Sequence, residues 1–325
     1  MSKELESIRE ILLREIENLP LEGEPTQLYL PVAYCLKNGG KRIRPLMTLL
    51  AADLFGADID RAMPAALGME LFHNFTLMHD DIMDEAPMRR NQPTVHAKWN
   101  TNTAILSGDV MFALAYRSIS QVPSKHLKAV MELFNKTVIQ VCEGQQYDMD
   151  FETMEQVGET DYLNMIRLKT AVLPAACLQA GAIIGEADKE DQERIYRFGE
   201  AIGMAFQLRD DWLDVFGDEN KFGKKSGGDI VANKKTWLYI KASELAGPEQ
   251  REILKKAFSS RTGNSDEKIG LVRKVYRQLG IDELAQHAIK NYHARAMEHL
   301  QGIRVEDQRK EHLRKLAGEL SDRKH

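Results

Sequence analysis

The chain has 325 residues, a formal net charge of −5, 43% hydrophobic and 29% charged residues. This suits one large folded domain spanning 1–325, and the acidic balance argues against nucleic-acid binding, which normally shows a basic excess. Cys35, Cys142 and Cys177 are scattered with no CxxC, so they read as small core residues in a reducing compartment rather than as disulfides or zinc ligands.

Helical periodicity runs from end to end and few stretches alternate like strands, so an all-α fold is expected. Residues 1–18 carry five glutamates against Lys3, Arg9 and Arg14, which fits neither a signal peptide nor a transit peptide. No apolar run reaches the ~18 residues of a spanning helix. A cytoplasmic protein without stable membrane insertion is expected. In chain order, helices are expected at 3–18, 26–37, 43–55, 61–84, 99–121, 125–149, 159–185, 189–216, 235–246, 248–259, 266–278, 280–301 and 305–319. Asp188 caps the helix beginning at 189, with Asp191 three residues on. Breaks fall at Gly39-Gly40, at Pro87 and across 222–233.

Two of these helices end alike. Residues 71–84 read LFHNFTLMHDDIMD, and residues 201–214 read AIGMAFQLRDDWLD. Carboxylates that close an apolar helix are costly unless something positive meets them. Asp80 and Asp84 are four apart and share a face, about 5–6 Å apart at Cβ. A lone acidic helix end is usually a solvated face. Two copies, each closing an apolar helix, favour a hard cation, and Mg²⁺ uses one or two carboxylates together with substrate phosphates. The pair therefore points to Mg²⁺ and a diphosphate held between two helices.

Basic groups accompany both ends. In NGGKRIRP (38–45), Lys41, Arg42 and Arg44 read either as a salt-bridged loop or as an anion site at a helix N-terminus. Arg89 and Arg90 lie five and six residues beyond Asp84, after Pro87 turns the chain; they suit either solvent or a diphosphate. His73 shares the helix face of Asp80, either as a hydrogen-bonded core group or as part of the site. Lys169 and Thr170 interrupt an apolar run, where a helix break would point them inward. Gln207 precedes Asp210 by one turn. Lys224 and Lys234 sit in a glycine-rich loop after the second motif, where they are either solvated or able to close over phosphate.

GGKRIRP, DDIMD followed after four residues by RR, PTVH (93–96), AILSGD (104–109), GQQYD (144–148), LKT (168–170), FQLRDDWLD (206–214) and GK…D…K-x-T (223–236) together resemble the trans-isoprenyl diphosphate synthases. These form the polyprenyl synthetase family of farnesyl/geranylgeranyl diphosphate synthase type. The match spans about 39–236, and the flanks carry no motif. The resemblance implies an all-α bundle around a central cavity, the type I isoprenoid synthase fold, usually as a homodimer. It implies that Asp80, Asp84 and Asp210 bind three Mg²⁺ ions, with Mn²⁺ as a substitute, and that Asp81, Asp211 and Asp214 support them. It assigns Arg89, Lys169, Thr170, Gln207, Lys224 and Lys234 to the allylic diphosphate, and Lys41, Arg44, His73 and Arg90 to isopentenyl diphosphate. Asp80, Asp84, Asp210, Lys169 and Arg89 would be catalytic. Asn91 and Asn100 stand where the family usually has glycine; asparagine tolerates positive φ, so both turns are expected to survive.

The implied reaction is head-to-tail condensation of isopentenyl diphosphate with dimethylallyl, geranyl or farnesyl diphosphate. Cations and basic side chains would neutralise the departing diphosphate. Apolar helices would keep water from the allylic cation, with Phe72 or Phe75 adding cation–π stabilisation. The released diphosphate would take the proton. On a helical wheel Thr76 and Phe72 fall nearest the Asp80 face; Phe75 enters by resemblance. An aromatic Phe75 beside a small Thr76 resembles geranylgeranyl-producing members, so a C20 product is expected, with C15 the nearest alternative. A class I terpene cyclase would carry a different second metal motif and no GGKRIRP, and a non-catalytic subunit of a heteromeric prenyltransferase would lose one aspartate motif.

Overall fold

The computed structural model describes residues 3–217, 226–259 and 264–321. The fold is all-α, and among the described residues the only strands are the two-residue pair β1 (Met88–Arg89) and β2 (Gln92–Pro93). The chain divides into two compact units: Met1–Asn135 with Ala176–Glu193, and Lys136–Ala175 with Arg194–His325. Among the described residues no helix is long and apolar enough to cross a membrane.

The first unit contains α1 (Lys3–Glu17), α2 (Thr26–Lys37), α3 (Ile43–Leu54), α4 (Ile59–Met83), α5 (Val95–Lys98) and α6 (Thr101–Ile119). Asp58 caps α4 by accepting from the Asp60 N–H at 3.2 Å. Beyond its first turn α4 is apolar on nearly every side, because α3, α6 and α2 all pack on it. Ala62, Ala66, Met69, Phe72 and Met78 are buried as a result. Phe72 has no exposed surface and lies 5.5–6.0 Å, centroid to centroid, from Phe75, Phe112 and Phe134. Burying such a ring contributes about 1.5–3 kcal/mol.

The second unit is built on the later part of α7 (Ser124–Thr153), α8 (Glu159–Ile166), the start of α9 (Val172–Ile184), most of α10 (Lys189–Phe216), and helices Trp237–Leu245, Pro248–Ser259, Ser265–Gln278, Ile281–Gln301 and Glu311–Ser321. Its core gathers Tyr162, Met165, Leu208, Trp237 and Tyr276.

The expected helices are found, with local departures that have physical causes. The helix expected from 99 starts at Thr101 because Asn100 caps it, its Oδ1 accepting from the Thr103 N–H at 2.8 Å. The φ of Asn100 is −171°, so the positive-φ expectation there is corrected: an extended capping role replaces the left-handed turn. The α7 helix runs past the expected 149 to Thr153, and the Lys235 ammonium donates to the carbonyls of Phe151 (2.7 Å), Glu152 (3.2 Å) and Met154 (2.6 Å) at its end. A cation there satisfies the helix's last acceptors and meets its negative pole. The break expected across 222–233 holds one helical turn, Gly228–Val231.

Candidate active site

The first aspartate motif closes α4 and runs into a hairpin. Arg90 and Asn91 form its two-residue loop at φ 52° and 61°, the double left-handed turn that matches strand twist. Asn91 therefore adopts the positive φ expected of it. Thr94 pins the hairpin base, its hydroxyl donating to the Ala86 carbonyl at 2.7 Å. The turn sends the two arginines to different partners. Arg89 Nε donates to Asp81 Oδ1 at 2.7 Å, and Arg90 Nη1 donates to the Gly39 carbonyl. Asp81 is buried at 5% exposure, while Asp80 is half-buried and Asp84 exposed. Burial pushes the Asp81 carboxyl up and Arg89 opposes that shift.

Of the four groups expected to hold isopentenyl diphosphate, two are hydrogen-bonded to each other and a third reaches the glycine loop, all in the first unit. Arg44 Nη1 donates to His73 Nε2 at 3.1 Å, and Arg90 reaches the glycine loop that precedes Lys41. Gly40, at φ 131°, lies against that guanidinium: a Cβ there would sit 2.7 Å from Arg90 Nη1. Burial lowers the His73 pKa well below the usual imidazole value, and Arg44, Arg90, Arg89 and Arg42 lower it further, in that order. A neutral imidazole that accepts from Arg44, with the charge of Arg90 acting on it, gives this region positive groups suited to an anion. Lys41 is exposed.

In the second unit, Lys169 and Thr170 lie on a π-helical turn, Arg167–Ala171. The expected break is thus a widened turn, a feature frequent at functional sites. Two glycines let neighbouring helices close on it. A Cβ at Gly144 of α7 would lie 2.2 Å from the Lys169 nitrogen, and one at Gly203 of α10 would lie 2.6 Å from Ala171 Cα. Lys169, Thr170, Gln207 and Lys234 line one cleft with Asp148 and Asp229. Lys169 Nζ donates to Asp148 Oδ2 at 2.5 Å. Lys224 lies outside the described residues.

The second aspartate motif separates its members. Asp211 is 3% exposed and accepts from Tyr162 Oη at 2.6 Å and Gln207 Nε2 at 3.0 Å. Thr170 Oγ1 in turn donates to Gln207 Oε1 at 3.1 Å. Burial and the charge of Asp229 push the Asp211 carboxyl up to about 8. Asp214 accepts from the N–H groups of Gly228 (3.1 Å) and Asp229 (3.0 Å), so it caps the turn Gly228–Val231. Asp229 is pushed up to about 6 by burial and then by Asp214, with Asp148 and Asp210 adding to the repulsion. Arg273, from the helix Ser265–Gln278, donates through Nε to the Val215 carbonyl at 2.7 Å and through Nη2 to Ser226 Oγ. Among the described residues no three acidic, histidine or cysteine side chains converge as a ready metal site.

Sequence reasoning assigned no role to Asp148, Asp229, Tyr162 or Arg273. The first two stand inside matched motifs, GQQYD and GK…D…K-x-T, which is a usable signal. Tyr162 and Arg273 carry none. Of the three residues expected to set product length, Phe72 is enclosed by other rings, Phe75 stacks on Phe112 at 4.9 Å, and the Thr76 hydroxyl donates to the His73 carbonyl at 2.8 Å.

Comparison with known proteins identifies the family. Residues 25–279 match the polyprenyl synthetase family model. The chain is 42% identical over 230 residues to a geranylgeranyl diphosphate synthase of Methanosarcina mazei, covering 70% of this chain and 71% of that protein. It superposes on a crystal structure of geranylgeranyl pyrophosphate synthase with TM-score 0.94 and 43% identity, covering 99% of both chains. It also superposes on a polyprenyl synthase of Caulobacter crescentus complexed with calcium and isoprenyl diphosphate, with TM-score 0.88 and 28% identity, covering 99% of this chain and 97% of that one. Sequence motifs, fold and relatives converge: the chain belongs to the polyprenyl synthetase family and is a prenyltransferase.

Proposed function

We propose that this prenyltransferase condenses isopentenyl diphosphate head-to-tail with short allylic diphosphates and releases geranylgeranyl diphosphate (C20), with farnesyl diphosphate (C15) as the nearest alternative product. The observation that carries the reading is the single cleft lined by Lys169, Thr170, Gln207 and Lys234 together with Asp148 and Asp229, which sets the predicted diphosphate-binding groups beside carboxylates. Carboxylate oxygens are the donors a hard divalent cation takes, together with the oxygens of a diphosphate. Mg²⁺, or Mn²⁺ in its place, supplies the charge that neutralises a departing diphosphate when bound, with three ions expected.

The chain's own residues divide the work. Asp80, Asp84 and Asp210 are the carboxylates offered to metal. Asp81, Asp211 and Asp214 serve as supports, accepting from Arg89, from Tyr162 and from the Gly228 N–H respectively. Lys169, Gln207 and Lys234, with Arg89 and Lys224, meet the allylic diphosphate. Thr170 directs its proton to Gln207, so it offers lone pairs, while Lys169 and the second amide proton of Gln207 serve the anion. Lys41, Arg44, His73 and Arg90 hold isopentenyl diphosphate, with His73 neutral and accepting from Arg44. Apolar walls exclude water from the allylic cation, and the departed diphosphate takes the final proton. The two compact units act as one catalytic domain, and two copies of the chain pair as a homodimer.

The test is a product assay. Purified protein is incubated with Mg²⁺, isopentenyl diphosphate and, separately, the C5, C10 and C15 primers, and dephosphorylated products are read by mass. A C20 alcohol that disappears with EDTA is expected; no elongation from any primer overturns the reading. Phe75→Ala is expected to lengthen the product. Phe72→Ala should do so too, but its ring is core, and its loss costs about 3–5 kcal/mol of stability, which makes Phe75 the cleaner probe.

A further inference from the structure

The motif GGKRIRP carries three cations, and they do not share a fate. Lys41 is exposed, whereas Arg42 is 7% exposed and points into the protein. Arg42 takes φ 48°, a left-handed conformation uncommon for a long side chain. Its guanidinium donates through Nη1 to Glu70 Oε1 at 2.5 Å and through Nη2 to the Leu36 carbonyl in the last turn of α2. Glu70 is 4% exposed within apolar α4. The same Oε1 accepts from Asn74 Nδ2 at 2.9 Å, and that amide also donates to the Glu70 carbonyl at 2.8 Å. One buried ion pair thus joins the end of α2, the glycine loop and α4. Glu70 lies one turn before His73, which accepts from Arg44 on the same loop-to-α3 segment.

We propose that Arg42 and Glu70 are positioning residues. Their buried pair fixes the spacing of Lys41 and Arg44 from His73, and so sets the affinity for isopentenyl diphosphate without touching it. Desolvating two charges is costly, and apolar residues of similar volume often replace such a pair without loss of stability. Its location, bridging the two segments that carry the anion ligands, gives it a geometric role instead. The inference rests on the reading of that anion site given above.

The test uses the full-length enzyme and three variants, with KM measured separately for isopentenyl diphosphate and for the allylic primer. In Arg42→Met/Glu70→Leu both buried charges are removed together, so the melting temperature should stay near that of the parent. KM for isopentenyl diphosphate should rise roughly tenfold, while KM for the primer and kcat at saturation stay within about twofold, because small misplacements of binding groups are costly. Arg42→Lys keeps the charge but lacks the fork that reaches Leu36 and Glu70 together; the same selective rise, smaller in size, is expected. A folded double variant with both KM values unchanged overturns the proposal. If the double variant does not fold, an unchanged KM ratio in Arg42→Lys overturns it equally. Lys41→Ala separates the two levels of the argument. If it leaves KM for isopentenyl diphosphate unchanged, the anion-site reading fails; if it raises that KM while the Arg42 variants do not, only the positioning inference fails.

Discussion

The two aspartate-rich helix ends share a sequence pattern and differ in how they are supported. At the end of α4 the support is local. Arg89, eight residues on, turns back through a hairpin and pairs with Asp81. At the end of α10 Gln207, one turn back, is joined by support from far along the chain. Tyr162 holds Asp211 from 49 residues away, and Arg273 holds the Val215 carbonyl from 58 residues away. In both, the middle aspartate is buried and engaged, and the first aspartate of each motif is half-buried. The same DDxxD string thus buries its middle aspartate at both ends, while the groups that hold it are specific to each end.

The sharpest way to break the comparison is to neutralise the first aspartate of each motif. Asp80→Asn and Asp210→Asn should each lower kcat by roughly 10²–10³-fold, the loss seen when one preorganised electrostatic group is removed; steady-state kinetics at saturating Mg²⁺ would show it, and a variant near full rate would remove that aspartate from the account. Next in size is Gly144→Ala. Its Cβ has no room beside the Lys169 nitrogen, so the π turn must shift. Overpacking of this kind costs about 1–3 kcal/mol, visible as a lowered melting temperature together with weakened primer binding. Tyr162→Phe tests the distant support alone. It removes one donor from a buried carboxyl, worth about 1–3 kcal/mol, and should reduce stability in thermal unfolding while leaving the first motif's behaviour untouched.

A further expected effect concerns pH. The folded-state pKa of Asp211 is raised from 3.8 to about 8. Between these values the folded protein keeps a proton that the unfolded chain releases, so stability falls as pH rises from about 4 to about 8. Asp211→Asn removes that contribution. In the absence of metal, its melting temperature should decline less across this range than that of the parent; parallel curves would show that Asp211 is ionised in the folded state.

Much of this was legible in the sequence because the determinants are local. Helix bounds followed from apolar periodicity and from caps such as Asp188, which accepts from the Asp191 N–H at 3.0 Å. The candidate anion-binding groups stood out as charges beside a glycine loop, after a proline turn or inside an apolar run. What escaped was the set of partners that hold them. Glu70 was detectable in principle: a carboxylate in the apolar run MELFHN poses the same desolvation problem that drew attention to Asp80. Arg42 was grouped with Lys41 and Arg44 because a basic cluster does not reveal which member turns inward. Tyr162 and Arg273 act across long sequence separations, where no spacing rule connects them to their partners. Asn100 shows the limit of reading by substitution, since asparagine suits both a left-handed turn and a helix cap, and the chain uses the second.

The central claim is that both aspartate ends serve a metal-bound diphosphate. It is tested most directly by calorimetric titration of a non-ionisable allylic diphosphate analogue into the parent, Asp80→Asn and Asp210→Asn proteins, each with and without Mg²⁺. The account predicts that Mg²⁺ strengthens binding to the parent and that each single variant loses most of that gain. Full Mg²⁺-linked affinity in either variant would contradict it, by showing that the corresponding helix end holds no metal.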